Sequence, residues 1–241
     1  MKQAGVWSRV HAVAAITLFA VLAGGCVSPG YDEREALLHR ESISVEPKMG
    51  IFRPNESDFD TGIYYGTKLS YEYQRYSYVS VEVSFVEVDQ DVVPTATSFT
   101  SVNQIRGLKH QLIDDTDRLA GVVSLDWDIP LGETPHRPYL KAGIGVGALY
   151  VNNRLNLGAE SSIISNGLAG KAQARDQAMF LVRPNFGIGW SPTGNNLSIF
   201  AEASYDHAMH NITIALDSSN YRTDAVNFSG FNFVAGISYK F

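Results

Sequence analysis

From residue 42 to the end of the chain, apolar side chains recur at every second position over segments of roughly ten residues or more, and no other feature restricts the fold so strongly. A period of two belongs to a strand with one apolar face, whereas a helix needs 3.6. Ser198 to Met209 shows it plainly: Ile199, Ala201, Ala203 and Tyr205 lie on one face, and Ser198, Glu202, Ser204 and Asp206 on the other. In Tyr139 to Val151, Leu140, Ala142, Ile144, Val146, Ala148 and Tyr150 oppose Lys141, Gly143, Gly145 and Gly147. Ala178 to Trp190 sets Ala178, Phe180, Val182, Phe186, Ile188 and Trp190 against Arg183, Asn185, Gly187 and Gly189. Pro184 falls on the apolar face of this last segment, and its missing N–H predicts a bulge there.

Counting such segments predicts about eight strands, over 42–53, 61–74, 77–88, 117–129, 137–151, 177–191, 196–209 and 227–241. The connections alternate in length. Tight turns at Gln74-Arg75-Tyr76, Pro130 to His136 and Pro192 to Asn196 share one end with both termini. The longer connections at 89–116, 152–176 and 210–226, with a shorter one at 54–60, share the other. This predicts an all-β fold, an eight-stranded antiparallel up-and-down transmembrane β-barrel occupying residues 42–241.

The polar face would line the interior of such a barrel. It supplies Lys48, Lys68, Lys141 and Arg183 as cations, and Glu46, Glu72, Glu82, Asp126, Glu202 and Asp206 as anions. An eight-stranded barrel is just wide enough for side chains to fill, and isolated buried charges are too costly to persist. A lumen network of Lys48, Lys68, Glu82, Asp126, Lys141, Arg183, Glu202 and Asp206 is therefore expected, and it predicts a closed rather than a conducting barrel.

At the N-terminus, Lys2 and Arg9 precede an apolar run from Val10 to Leu22, interrupted by His11 and Thr17, which ends in Ala23-Gly24-Gly25-Cys26. This is the pattern of an export signal over 1–25, too short for a permanent spanning helix. The small residues before Cys26 resemble the lipobox of bacterial lipoproteins, although Leu22 stands one place upstream of the favoured position and Ala23 fills it. The resemblance implies cleavage before Cys26, a lipid on its sulfur and, with Val27 in place of the Asp that marks inner-membrane retention, an outer-membrane address. The alternative is an ordinary signal peptide cut nearby that leaves Cys26 as a free thiol. Residues 26–41 read as a periplasmic tether, with a short helix expected through Glu33 to His39.

The chain closes with Ile237, Tyr239 and Phe241 on one face of an alternating strand. A terminal Phe with apolar or aromatic residues two and four places earlier resembles the signal read by the barrel-assembly machinery. Together with Lys48-Met49-Gly50-Ile51-Phe52 and the Gly-rich segment 139–151, it makes residues 42–241 similar to the small OmpA/OmpX-type outer-membrane barrels. That resemblance implies a fold, a bacterial outer-membrane location and outer-membrane lipids as neighbours, but no single activity. A soluble lipocalin-like barrel, with its apolar residues inside, is the structural competitor. Against it, Tyr65, Tyr71, Tyr73, Trp127, Tyr150, Trp190, Tyr205 and Tyr239 fall near strand ends, where amphipathic rings settle at membrane interfaces.

The remaining chemistry is sparse. A net charge of -6 without a basic stripe disfavours nucleic acid as a partner, and one Cys provides neither a disulfide framework nor a thiolate metal site. Ser204, Asp206, His207 and His210 form the nearest approach to a catalytic constellation. Asp206 and His207 point to opposite faces, however, and His210-Asn211-Ile212-Thr213 lacks the His-x-Ser-Asn pattern of lipid A deacylases. No catalytic, metal or cofactor residue is assigned. The expected role is non-enzymatic, structural or surface-interacting, with an extracellular ligand at the loops left open; a lipid-modifying enzyme or small-solute pore is the alternative.

Overall fold

The computed structural model describes residues 42–55, 60–74, 76–89, 113–132, 137–155, 157–192, 196–217 and 219–241. Cys26 and the segment Glu33 to His39 lie outside them. Eight strands close a barrel in the order β1-β11-β8-β7-β5-β4-β3-β2, with every neighbouring pair antiparallel. They are β1 (Ile43–Pro54), β2 (Gly62–Gln74), β3 (Ser77–Asp89), β4 (Ile113–Pro130), β5 (Arg137–Leu155), β7 (Gln177–Ser191), β8 (Leu197–Asp206) and β11 (Gly230–Lys240). Closure between the first and last strands leaves the barrel without an edge, so the wall pairs its own backbone groups.

The alternation sorts the side chains as an inverted globule. Met49, Ile51, Val81, Val123, Ile144, Val146, Phe180, Phe186, Ile188 and Ile199 stand on the outside, with Met49 and Phe180 60% and 67% exposed. Lys68, Arg183 and Asp206 lie inside at 1–3%. Water would penalise such an exterior, and a bilayer would not. The interior contents also exclude the lipocalin arrangement. Tyr71, Tyr73, Trp127, Trp190 and Tyr239 ring the short-turn end, and Tyr65 and Tyr150 stand exposed toward the other.

Two outward prolines act differently from the expected bulge. Val182 bridges His207, and pairing resumes at Asn185 with Ser204, so the register across Pro184 does not shift. Pro47 likewise interrupts the β1–β11 ladder between Val45 and Lys48 without changing register. Each proline removes a donor, and neither inserts a residue. Register shifts occur instead at Glu72/Gln74 and Ile113/Asp115. The first accompanies the β2–β3 turn, where Tyr76 adopts φ 64° and its amide donates to the Glu72 carboxylate at 3.0 Å.

The rim with the long connections is more ordered than the sequence suggested. β4 and β5 run to 18 and 19 residues. Part of the expected 152–176 loop is a helix, α1 (Leu157–Ser165), followed by β6 (Ala172–Ala174). Gly167 ends α1 at φ 68°, with its amide bonded to Ile164 and that of Leu168 to Ile163, a left-handed cap that suits glycine. The expected 210–226 loop is a hairpin of β9 (Met209–Leu216) and β10 (Ser219–Asn227). With β6 it forms a three-stranded sheet, β10-β9-β6, on that rim.

This upper part has an apolar core that the expected charged lumen did not foresee. Ala120, Val122, Leu149, Val151, Met179 and Leu181 point inward, and Ile163, Ile214, Leu216, Val226 and Phe228 pack against them. The interior therefore has an apolar region toward the long-connection rim as well as a charged one.

Candidate functional site

The charged region is built by register. Inward positions on β1, β3, β4, β7 and β8 carry long ionic side chains, while Gly143, Gly187 and Gly189 on the neighbouring faces leave them space. Gly189 lies under the Tyr139 ring, where a Cβ would collide with it.

Arg183 is the hub. Its Nε donates to Asp206 Oδ1 at 2.5 Å and its Nη2 to Asp206 Oδ2 at 3.0 Å, a bidentate fork. Its Nη1 reaches Glu82 at 2.6 Å and Ser84 Oγ at 3.2 Å. Tyr64 donates its hydroxyl to the same Glu82. Lys48 bridges Glu82 at 2.7 Å and Glu202 at 2.9 Å. Arg118 joins Asp206 at 3.3 Å, and Asn232 donates to Asp206 and Ser204, each at 3.1 Å. The chain of ion pairs thus connects β1, β3, β4, β7 and β8 across the lumen.

Two further pairs lie beside it. Lys141 on β5 holds Glu46 on β1, four places away in the closed order, at 2.9 and 3.0 Å. Its ammonium also lies 4.5 Å from the centre of the Phe200 ring. Lys68 approaches Asp126 at 2.9 Å, a contact that is ionic rather than a well-aimed hydrogen bond, and Asp126 accepts in addition from Ser124 and Asn185 at 2.7 and 3.0 Å. At the short-turn end, Glu72 takes Lys240 at 2.5 Å and the Ser42 hydroxyl at 2.8 Å.

Arg183 also mends the wall. Asp206 stands opposite it in the register that Val182–His207 and Asn185–Ser204 define, at the level where Pro184 interrupts the ladder. The bidentate ion pair joins β7 and β8 where backbone bonds are missing.

All eight residues of the expected lumen network are buried in this interior. Sequence reasoning missed Arg118, although it keeps phase with inward Ala120, Val122, Ser124 and Asp126; placing the strand start at 117 left Arg118 at the margin. It also missed Tyr64, a buried phenol four residues before Lys68 on the same inward face of β2. Ile237 and Tyr239 face outward, 48% and 45% exposed, and Phe241 follows β11 with its ring edge-on to Tyr239 at 4.9 Å.

The nearest catalytic constellation is dispersed. Ser204 accepts from Asn232, Asp206 is committed to two guanidiniums, and His207 is exposed outside, stacked on Tyr205 at 6.4 Å. The His210 side chain lies outside the described residues. Among the described residues no cluster of His, Cys, Asp and Glu could hold a metal ion.

No protein-family model and no curated protein matches the chain. Solved structures do. The outer membrane protein OprG from Pseudomonas aeruginosa is similar with a TM-score of 0.56 at 13% identity, over 85% of this chain and 97% of that one. Neisserial surface protein A gives 0.45 at 12%, over 83% and 97%. At such identity the likeness to OprG establishes the fold, that of a small outer-membrane β-barrel.

Proposed function

We propose that this chain is a non-enzymatic barrel of the bacterial outer membrane, closed to solutes, which acts as a structural or surface-interaction protein through its long-connection rim. The observation that carries this reading is the cross-lumen network centred on Arg183, whose partners come from strands on several sides of the barrel. Paired side chains of that size fill the space a conduit would need. The exterior supports the location: an apolar band with aromatics toward both ends is suited to a bilayer, and the fold is one that OprG also has. A rigid scaffold that presents a helix and a hairpin at one rim is where recognition is usually carried. Outer-membrane lipids and the barrel-assembly machinery are the partners this reading requires, the latter through Ile237, Tyr239 and Phe241.

The test is electrical. Purified, refolded protein in planar bilayers at neutral salt is expected to give no stepwise conductance. Reproducible single-channel steps from the wild-type protein, altered by Arg183→Ala, would replace this reading with a small-solute pore.

A further inference from the structure

Arg53 on β1, Phe231 on β11 and Tyr205 on β8 stand in one row across three neighbouring strands, outside the barrel and close to the long-connection rim. Arg53 is exposed and Tyr205 half-buried, and the Tyr205 and Phe231 rings lie 4.8 Å apart. One step nearer the rim, the Asn55 Nδ2 donates to the Tyr205 hydroxyl at 2.7 Å, which ties β1 to β8 across the outside of β11. Exposed His207 also stacks on Tyr205, with ring centres 6.4 Å apart. Toward the middle of the wall the same outer faces are apolar: Met49, Ile51 and Phe233 are 60%, 48% and 47% exposed.

Donors outnumber acceptors in this group. The Tyr205 oxygen accepts from Asn55, which leaves its own proton to donate. Among the described residues, neither the Arg53 guanidinium nor the His207 imidazole has a hydrogen-bonded or ionic partner. An isolated arginine at this depth would only reach for the interface; here a phenol and an imidazole are held beside it by the ring contacts and the Asn55 bond. We propose that this patch is a docking site for an outer-leaflet lipid whose headgroup ends in a phosphate monoester. The phosphate accepts from Arg53, Tyr205 and His207, and the acyl chains lie over Met49, Ile51 and Phe233. Such a phosphate has the acceptor oxygens that three donors require, whereas a choline or ethanolamine cap would bring a second cation beside Arg53. The site rests on the outer-membrane reading, with the long connections outward, and is independent of whether the lumen conducts.

The probe is diphosphoryl lipid A, titrated into the full-length protein in neutral detergent, with retained lipid counted by native mass spectrometry. EDTA is present, so that no divalent cation can bridge the phosphate to exposed Asp60. Lipid A should bind saturably, and the same lipid stripped of both phosphates, or phosphatidylcholine, at least tenfold more weakly. Arg53→Gln should weaken lipid A binding about tenfold, as expected for a lost hydrogen bond to a charged group. Tyr205→Phe, which keeps the ring and loses the donor, should weaken it severalfold. Arg154→Gln removes an exposed cation from β5, four places from β1 in the closed order, and should leave binding unchanged. Each protein is first checked for the heat-modifiable gel shift of a folded barrel; a wild-type protein without that shift would count against the barrel reading itself. In folded protein, equal binding of the dephosphorylated lipid, wild-type binding by Arg53→Gln or Tyr205→Phe, an equal loss in Arg154→Gln, or inorganic phosphate bound as tightly as lipid A would overturn the site.

Discussion

Arg183 makes four kinds of contact at once: a bidentate pair, a second carboxylate, a serine hydroxyl and the phenol of Tyr64 at 3.3 Å. Arg183→Ala leaves Asp206 and Glu82 short of a cation in a water-poor interior, so it should cost about 3 to 5 kcal/mol, read as a lowered urea midpoint in lipid vesicles. Pairing Arg183→Met with Glu82→Gln should recover part of that loss, because Asp206 then keeps Arg118 and Glu202 keeps Lys48 as counter-ions. A double variant no more stable than Arg183→Ala would show that the network is not energetically coupled. The charge inventory behind this was legible because ionic residues on a period-two pattern share a face. Which acid meets which base was not, since partners such as Lys141 and Glu46 are brought together by closure of the barrel and not by proximity along the chain.

At the scale of the strand, the sides of the wall are distinguishable by substitution. Ile144 is 51% exposed in the apolar band, and Ile144→Arg should destabilise the barrel by about 2 to 4 kcal/mol if it sits at the bilayer midplane, measured by the same unfolding assay. Spin labels at 144 and 146 should report lipid. If those positions report water instead, the register is inverted. The barrel strands were legible because each alternates over many residues. The rim was harder to read: β9 is only eight residues long, and α1 nine, too short for a period to stand out. Signals did exist, in Ile212-Thr213-Ile214-Ala215-Leu216 and in Gly167, which caps the helix. The wall does not depend on that rim, because the β8–β11 ladder runs from Leu197 and Tyr239 to Asp206 and Gly230 without it. Replacing 210–226 by a short turn should therefore leave a heat-modifiable barrel. Its shift should occur at a lower temperature, since Leu149 and Leu181 lose Ile214, Leu216 and Val226 as neighbours. A variant that never folds would mean that the hairpin is needed for closure.

For the molecule as a whole, membrane affinity has two proposed sources that can be separated. The first is the barrel, whose apolar outer band comes from all of its strands and whose backbone is satisfied by closure. The second is a lipid on Cys26, inferred from Leu22-Ala23-Gly24-Gly25-Cys26 after an export segment. A lipid on one residue contributes about 0.8 kcal/mol per buried CH₂ but tethers the chain at a single point, whereas the barrel buries whole strand faces in lipid. The lipid should therefore not be needed for insertion. Cys26→Ser should lose labelling by a radioactive or clickable fatty acid, and the protein should still fractionate with the outer membrane and show the gel shift between unboiled and boiled samples. Labelling that persists in Cys26→Ser, or a mature N-terminus elsewhere than Cys26, would remove the anchor from the proposal and leave the barrel as the sole attachment. Loss of the folded gel form in Cys26→Ser would show instead that the tether guides assembly, because strands with their own affinity for lipid would then have failed to insert without it.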